Sequence, residues 1–260
     1  EDKVWKENFL QDFETLPKNV RDIFEYGFLE MLNNAIDHSE GTFVVLRAEW
    51  ESDSVKIKIK DNGIGIFRKI KNALGLGDER ESALHLSKGK FTTDPVNHTG
   101  EGIFFTSRAF DYFHIFTRGI SYARDNSEED WFIETGQASQ KSGTGLEMII
   151  SLDSKRNLQE VFAEYTGEDS EGLLKFDKTH IEVVLSMLGD ERYVSRSQAR
   201  RICLGLEKFK HVILDFKGIS TVGQGFVDEV FRVFQSKYPK IKIEYTNAND
   251  DVRFMIERTL

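Results

Sequence analysis

One alternating segment, Ser54-Val55-Lys56-Ile57-Lys58-Ile59-Lys60, limits what the middle of this chain can fold into. Its period of two predicts a half-buried strand with Val55, Ile57 and Ile59 facing inward. The strand runs into Asp61-Asn62-Gly63-Ile64-Gly65. Asp-Asn-Gly after an alternating strand ordinarily signals a hairpin turn. Here the next residues, Ile66 to Leu74, have helical spacing rather than a second alternation. The glycines therefore open a loop, and Gly63 and Gly65 let a ligand approach the backbone closely.

Upstream, Ile23, Phe24, Gly27, Phe28, Met31, Leu32 and Ala35 recur at three- and four-residue steps, which predicts an amphipathic helix from Val20 to Ile36. Glu30, Asn34 and Asp37 line a neighbouring face of it. Such a face suits nucleotide chemistry. The Asn34 amide oxygen is a ligand for Mg²⁺, a hard cation that keeps several waters. Glu30 is placed to orient or deprotonate a water for attack on a γ-phosphate. The plain alternative is the solvated polar face that most such helices carry. The acidic glycine loop after the strand favours the first reading. Together the two segments supply a metal ligand, a water-activating acid and an acceptor for a base amine, without a Walker lysine loop.

The pair resembles the N box and first glycine box of the GHKL ATP-binding fold. That fold is shared by gyrase-type topoisomerases, MutL repair ATPases, heat-shock chaperone ATPases, sensor histidine kinases and anti-sigma-factor kinases. The resemblance implies that Asn34 binds Mg²⁺, that Asp61 accepts the adenine amino group, and that Glu30 is the catalytic acid/base. A glutamate at that position leans towards the hydrolase and anti-sigma branches. Thr99-Gly100-Glu101-Gly102-Ile103-Phe104-Phe105 resembles the second glycine box, which implies phosphate contacts at Gly100 and Gly102 at the start of a helix. It departs from the fuller glycine pattern at Glu101, a negative charge between the glycines. Ser142-Gly143-Thr144-Gly145-Leu146 resembles the late Gly-Thr strand, whose threonine, here Thr144, backs the adenine site. Between the glycine boxes, Asn72 to His98 then corresponds to the ATP lid, a long charged interval of the kind that is usually functional or mobile. Within it Lys88 and Lys90 are either γ-phosphate contacts of a closing lid or ordinary surface lysines.

At 260 residues there is room for two domains. A net charge of -9 argues against nucleic-acid binding by the bulk surface, leaving only a local basic patch at Arg196, Arg200 and Arg201 open. The single cysteine, Cys203, excludes an intramolecular disulfide and a cysteine-based zinc site, and its apolar neighbours predict a buried thiol. No apolar run approaches the roughly 20 residues of a membrane span and no signal peptide is visible, so a cytoplasmic location is expected. The chain opens on Glu rather than Met, as a piece of a longer protein does. The histidines are scattered and form no triad. Phe104, Phe105, Phe110, Phe113 and Phe116 read as core under the nucleotide site rather than as a base-stacking platform.

Beyond Leu152 the pattern changes. A short helix over 157–165 and an acidic connector through Gly172 are expected. Then come a strand at Ile181 to Leu185, a helix from Ser195 to Phe209 capped by Ser195 or Ser197, a strand at His211 to Phe216, a helix at Gly225 to Phe234, a strand at Ile241 to Tyr245 and a closing helix at Asp250 to Arg258. Alternating strands and helices predict a small parallel α/β layer. This half resembles a STAS-type domain, the fold of anti-sigma-factor antagonists, on the segment Val212 to Phe226. There an Asp-Ser step at the helix start carries the serine that a GHKL kinase phosphorylates. Here the step reads Gly223-Gln224, and Ser220 and Thr221 just upstream are either substitutes or turn residues.

The expected architecture is thus an α+β two-layer GHKL (Bergerat) sandwich over residues 1–155, a connector over 156–172 and a small STAS-like α/β domain over 173–260. The expected function is that of an Mg-ATP-binding ATPase acting as a nucleotide-dependent switch in signalling or regulation. The STAS-like domain would be the output or docking surface for a protein partner, and an ATP-dependent homodimer is compatible with it. The alternative is an anti-sigma-type serine kinase acting on a partner. A histidine kinase is weaker, because no helix pair with an acceptor histidine precedes the N box in this chain, and a nucleotide-binding module without turnover completes the set. ATP and Mg²⁺ are the expected cofactors; neither a membrane nor nucleic acid is an expected partner.

Overall fold

The alternating segment is a strand, Ser54–Asp61, buried at Val55, Ile57 and Ile59. The computed structural model describes residues 1–93, 99–128, 130–135, 142–168, 174–187 and 195–260, with 130–135 and 168 described by backbone alone. His98 at the end of the expected lid interval and Asp169 to Gly172 of the expected connector lie outside the described residues. The chain divides into a first unit of Glu1–Ser82 with Phe91–Phe162 and a second of Ala83–Lys90 with Ala163–Leu260.

In chain order the first part contains α1 (Asp2–Asn8), α2 (Leu10–Phe13), α3 (Lys18–His38), β1 (Val44–Trp50), β2 (Ser54–Asp61), α4 (Ile66–Leu74), α5 (Glu81–Lys88), α6 (Gly102–Ala109), β3 (Tyr112–Thr117), β4 (Ile120–Asp125), β5 (Asp130–Thr135), β6 (Gly145–Ser151) and α7 (Leu158–Tyr165). The six strands form one antiparallel sheet in the order β1-β2-β6-β3-β4-β5. The late strand β6 thus inserts beside β2, with Lys60 opposite Gly145. That register brings the end of β2 to the Gly-Thr segment and builds the floor of the site described below.

α3 buries Val20, Ile23, Phe24, Gly27, Phe28, Met31, Leu32 and Ala35, the stripe its spacing predicts. It lies over β2 and β6 and against α6. The opposite sheet face is polar: Lys58 Nζ is 2.8 Å from Glu49 Oε2, and Lys56 Nζ is 3.1 Å from Glu51 Oε1. Such exposed pairs stabilise by at most about 1 kcal/mol each, so the helical layer carries the stability of this sheet. α1 and α2 add an aromatic cluster, with Trp5 centred 5.4 Å from Phe13 and 5.3 Å from Phe28. The four-residue spacing of Trp5, Phe9 and Phe13 is the signal for it.

The second part contains β7 (Thr166–Glu168), β8 (Leu174–Phe176), β9 (Lys178–Glu182), a 3-10 turn (Val183–Ser186), α8 (Arg196–Cys203), β10 (His211–Asp215), α9 (Gln224–Val227), a π-helical stretch (Asp228–Phe234), α10 (Gln235–Lys237), β11 (Lys242–Thr246) and α11 (Asp250–Glu257). β9, β10 and β11 are parallel, in the order β11-β10-β9, as the alternation of strands and helices predicts. Two elements end earlier than expected. The strand expected to reach Leu185 ends at Glu182, because its partner β10 ends at Asp215 directly opposite; Val183–Ser186 then winds into the 3-10 turn. The helix expected to reach Phe209 ends at Cys203, where Gly205 takes a φ of 88° and stops it. Its cap is Ser195, whose backbone N–H donates to Gln198 Oε1 at 2.9 Å. Among the described residues no helix is long and apolar enough to cross a membrane.

Candidate functional site: four loops around one helix

Asp61 ends β2 and is 4% exposed. Its Oδ1 accepts from the N–H of Gly63 at 2.8 Å and from the N–H of Thr144 at 3.1 Å, the latter 83 positions away. The Asp61 N–H donates to Thr144 O at 3.0 Å, and Gly143 N–H donates to Gly63 O at 2.7 Å. The Thr144 hydroxyl accepts from the N–H of Ile66 at 3.0 Å, the first residue of α4 after Gly65. The first glycine loop and the Gly-Thr segment are therefore one hydrogen-bonded cluster, and a buried carboxylate needs such donors. Thr117 at the end of β3 completes it, its hydroxyl donating to Gly143 O at 2.5 Å. The sequence reading missed Thr117; its one signal is a threonine at the end of an alternating strand.

α3 is the common wall. At its C-terminal end, Ser39 O accepts from Ile64 N–H at 2.9 Å, and a methyl on Gly63 would stand 1.9 Å from that oxygen. About two and a half turns upstream, Gly102 opens α6 against Glu30: a methyl on Gly102 would stand 2.0 Å from Glu30 Oε2. At Gly63 the neighbour is backbone, so only glycine allows the approach; at Gly102 it is the end of the Glu30 side chain, which a methyl would displace. Asn34, half-buried on the same helix, lies one turn beyond Glu30. Asn62 shapes the neighbouring turn, its Oδ1 accepting from Thr42 N–H at 2.8 Å.

Tyr26 sits one turn before Glu30. Burial raises its phenol above the usual range, and the negative charges of Glu30 and Glu101 add to the shift. Glu101 is thus brought within electrostatic reach of the same tyrosine as Glu30. Tyr26 is a second residue the sequence reading missed; its signal was its place four positions before Glu30. Phe104, Phe105, Phe110 and Phe113 are buried beneath this region, as expected, while Phe116 is half-buried with its ring over Gly145.

Of the predicted nucleotide residues, Glu30, Asn34, Asp61, Gly63, Gly65, Gly100, Gly102 and Thr144 all belong to the first unit, whereas Lys88 and Lys90 belong to the second. Lys88 is no surface lysine: it is 2% exposed, and its ammonium donates to Arg201 O at 2.6 Å and Leu204 O at 3.1 Å, at the end of α8. Burial pulls its pKa down to about 7. Lys90 Nζ donates to Lys208 O at 2.8 Å and lies 4.6 Å from the Phe209 ring centre. Cys203 is a free, buried thiol as expected, pushed up to about 12 by burial.

The three arginines around which a local basic patch was left open are each matched by an acid or a carbonyl. Arg196 Nη2 lies 3.0 Å from Asp228 Oδ2, Arg200 Nε lies 3.3 Å from Glu229 Oε1, and Arg201 Nη1 donates to Ser186 O at 3.2 Å. Ser220 and Thr221 are exposed just before α9, which begins at Gln224.

Residues 198–253 match the family described as a STAS-like domain of unknown function (DUF4325). Over 79 residues the chain is 34% identical to the sensor protein VraS from two strains of Staphylococcus epidermidis; the match covers 30% of this chain and spans 22% of those relatives' length. The chain is also similar to the 43K ATPase domain of Thermus thermophilus gyrase B, solved in complex with an aminocoumarin. That similarity covers 48% of this chain and 33% of the other, at 19% identity with a TM-score of 0.30.

Proposed function

We propose that this protein binds Mg-ATP in its first unit and hydrolyses it as a conformational switch, with the STAS-like unit as its output. The observation that carries the reading is the Asp61 cluster: a buried carboxylate pinned by N–H groups from two loops 83 positions apart. A carboxylate so held is an acceptor for the adenine amino group, with Thr144 behind it and Gly63 and Gly65 clearing the backbone for the ring.

The phosphates would lie at Gly100 and Gly102, where α6 presents its N-terminal N–H groups. Mg²⁺ takes one or two protein oxygens and completes its octahedron with phosphate and water. The hard amide oxygen of Asn34, one turn beyond Glu30 on α3, fits that demand. The ion would shield phosphate charge from Glu30 and Glu101. Glu30, held against Gly102 at the start of α6, takes the proton of the attacking water. A general base contributes about 10²–10⁴ in rate. The sensor-protein relatives make signalling the natural setting, with a protein partner on the STAS-like unit and an ATP-dependent dimer as the form of the switch.

The test is incubation with Mg²⁺ and γ-labelled ATP, followed by separation of free phosphate from labelled protein. The reading predicts free phosphate, reduced at least about 10²-fold in Glu30→Gln with ATP binding retained. Label on a protein serine in place of free phosphate would replace hydrolysis by the kinase alternative. Unchanged turnover in Glu30→Gln would remove Glu30 from the chemistry.

A further inference from the structure

The seat of Glu30 depends on how closely α3 and α6 approach. Two glycines set that approach, one on each helix. A methyl on Gly102 of α6 would stand 2.0 Å from Glu30 Oε2. A methyl on Gly27 of α3 would stand 2.3 Å from the Phe110 ring and 3.1 Å from Thr106 Cγ2. Helices packed so closely transmit strain, so a change in their separation reaches the Glu30 carboxylate.

A third element braces the pair. The connection from β6 to α7 is tied to both helices. Asn19, the second residue of α3, donates from Nδ2 to Ser154 O at 2.7 Å and to Arg156 O at 3.0 Å. Arg156 Nη1 donates to Arg108 O at 3.2 Å, in the last turn of α6, and its Nη2 to Asn126 O at 2.7 Å. Its Nε lies 3.0 Å from Asp111 Oδ1. Beyond these ties, half-buried Phe162 on α7 touches both helices. Its ring centre is 5.4 Å from that of Tyr26, nearly perpendicular at 84°, and 4.4 Å from that of Phe105. Tyr26 lies one turn before Glu30 on α3. Phe105 lies three residues after Gly102, and its N–H donates to Glu101 O at 3.0 Å.

Resting on the function proposed above, we propose that Phe162 is a positioning residue for the hydrolysis: wedged against Tyr26 and Phe105, it fixes the separation of α3 and α6 and so holds the Glu30 carboxylate at the start of α6. It acts through Glu30 and touches no nucleotide. The adenine end of the site does not depend on this brace, because Asp61, Gly63, Gly143 and Thr144 are held by their own hydrogen bonds. Loss of the wedge therefore lowers kcat and spares KM.

The experiment measures phosphate release against Mg-ATP concentration in the full chain, for wild type, Phe162→Leu, Phe162→Tyr and Trp5→Leu. Phe162→Leu should lower kcat at least about tenfold, part of the roughly 10²-fold that a 1 Å misplacement costs, with KM nearly unchanged. Phe162→Tyr keeps the ring and should keep the rate. Trp5→Leu thins a different aromatic contact of α3 and reports plain loss of stability; its kcat per folded molecule should stay at the wild-type value. In the Glu30→Gln background Phe162→Leu should cost nothing more, because the group it positions is gone. Wild-type kcat in Phe162→Leu, an equal loss in Phe162→Tyr or Trp5→Leu, or an equal loss with and without Glu30→Gln would overturn the positioning role and leave the nucleotide site standing. No phosphate release by the wild-type chain would overturn the hydrolysis reading, and the positioning role with it.

Discussion

Replacing Gly102 by alanine separates chemistry from stability. The new methyl would stand 2.0 Å from Glu30 Oε2 and 3.0 Å from Glu30 Cδ. Non-bonded contact needs about 3.5 Å, so the carboxylate must move by roughly 1.5 Å. It is the end of a flexible side chain, so the fold accommodates the shift cheaply. The backbone at Gly102 is helical, and alanine gains up to about 1 kcal/mol over glycine in a helix. The melting temperature should therefore stay level or rise slightly. Turnover should not, because a misplacement of about 1 Å at a reacting group costs on the order of 10²-fold. Phosphate release at saturating Mg-ATP, measured beside thermal unfolding, gives both numbers. Adding Glu30→Gln to Gly102→Ala should cost little more, since the first change has already displaced the group the second removes. Wild-type turnover in Gly102→Ala would refute the claim that the seat of Glu30 against α6 matters to the reaction.

Gly143→Ala should behave in the opposite way. Its φ of 79° and a methyl 2.0 Å from Asp61 O leave only backbone to yield, so a loss of at least about 2 kcal/mol together with weakened Mg-ATP binding is expected; wild-type melting and affinity would contradict the Asp61 cluster. Trp5→Ala should cost about 3–5 kcal/mol by denaturant titration, because the ring joins α1 and α2 to Phe24 and Phe28; a loss under about 1 kcal/mol would make α1 dispensable. His85, its pKa lowered to about 3 by burial and then by Lys88 and Lys208, gives a pH signature. The unfolded histidine titrates near 6.5, so the unfolded state binds the extra proton between about 6.5 and 3. The stability from a neutral His85 is complete above that window and is lost as pH falls through it, and His85→Phe should flatten this part of the acid unfolding curve. An equally steep curve in the variant would remove His85 from the acid response.

Local periodicity made the elements legible. The alternation over Ser54 to Lys60 and the stripe from Val20 to Ala35 need only one face of burial, and both appear where they were read. The Asp-Asn-Gly loop was legible as a loop because Ile66 begins a helix rather than a strand. The insertion of β6 beside β2 was not legible from spacing, since register between strands so distant in sequence is set by the whole sheet. The seat of Glu30 on Gly102 is equally non-local, although a glycine at the first position of a helix was its trace. Lys88 shows the limit most clearly. A lysine in a charged, glycine-bearing interval reads as surface or ligand, yet Ala83, Leu84 and Leu86 around it are buried and carry it into the second unit. The π-helical stretch at Asp228–Phe234 left no mark in the apolar spacing.

The central claim is that Asp61 reads adenine in a Mg-ATP site of the first unit. Calorimetric titration of Mg-ATP into the wild-type chain and into Asp61→Asn tests it most directly. Asparagine keeps the size and can still accept from Gly63 and Thr144, but it removes the charge that makes Asp61 a strong acceptor. The account predicts saturable single-site binding in the wild type and none in Asp61→Asn at the same concentrations, with melting of the two proteins alike. Equal binding by both chains, or none by either, would contradict it.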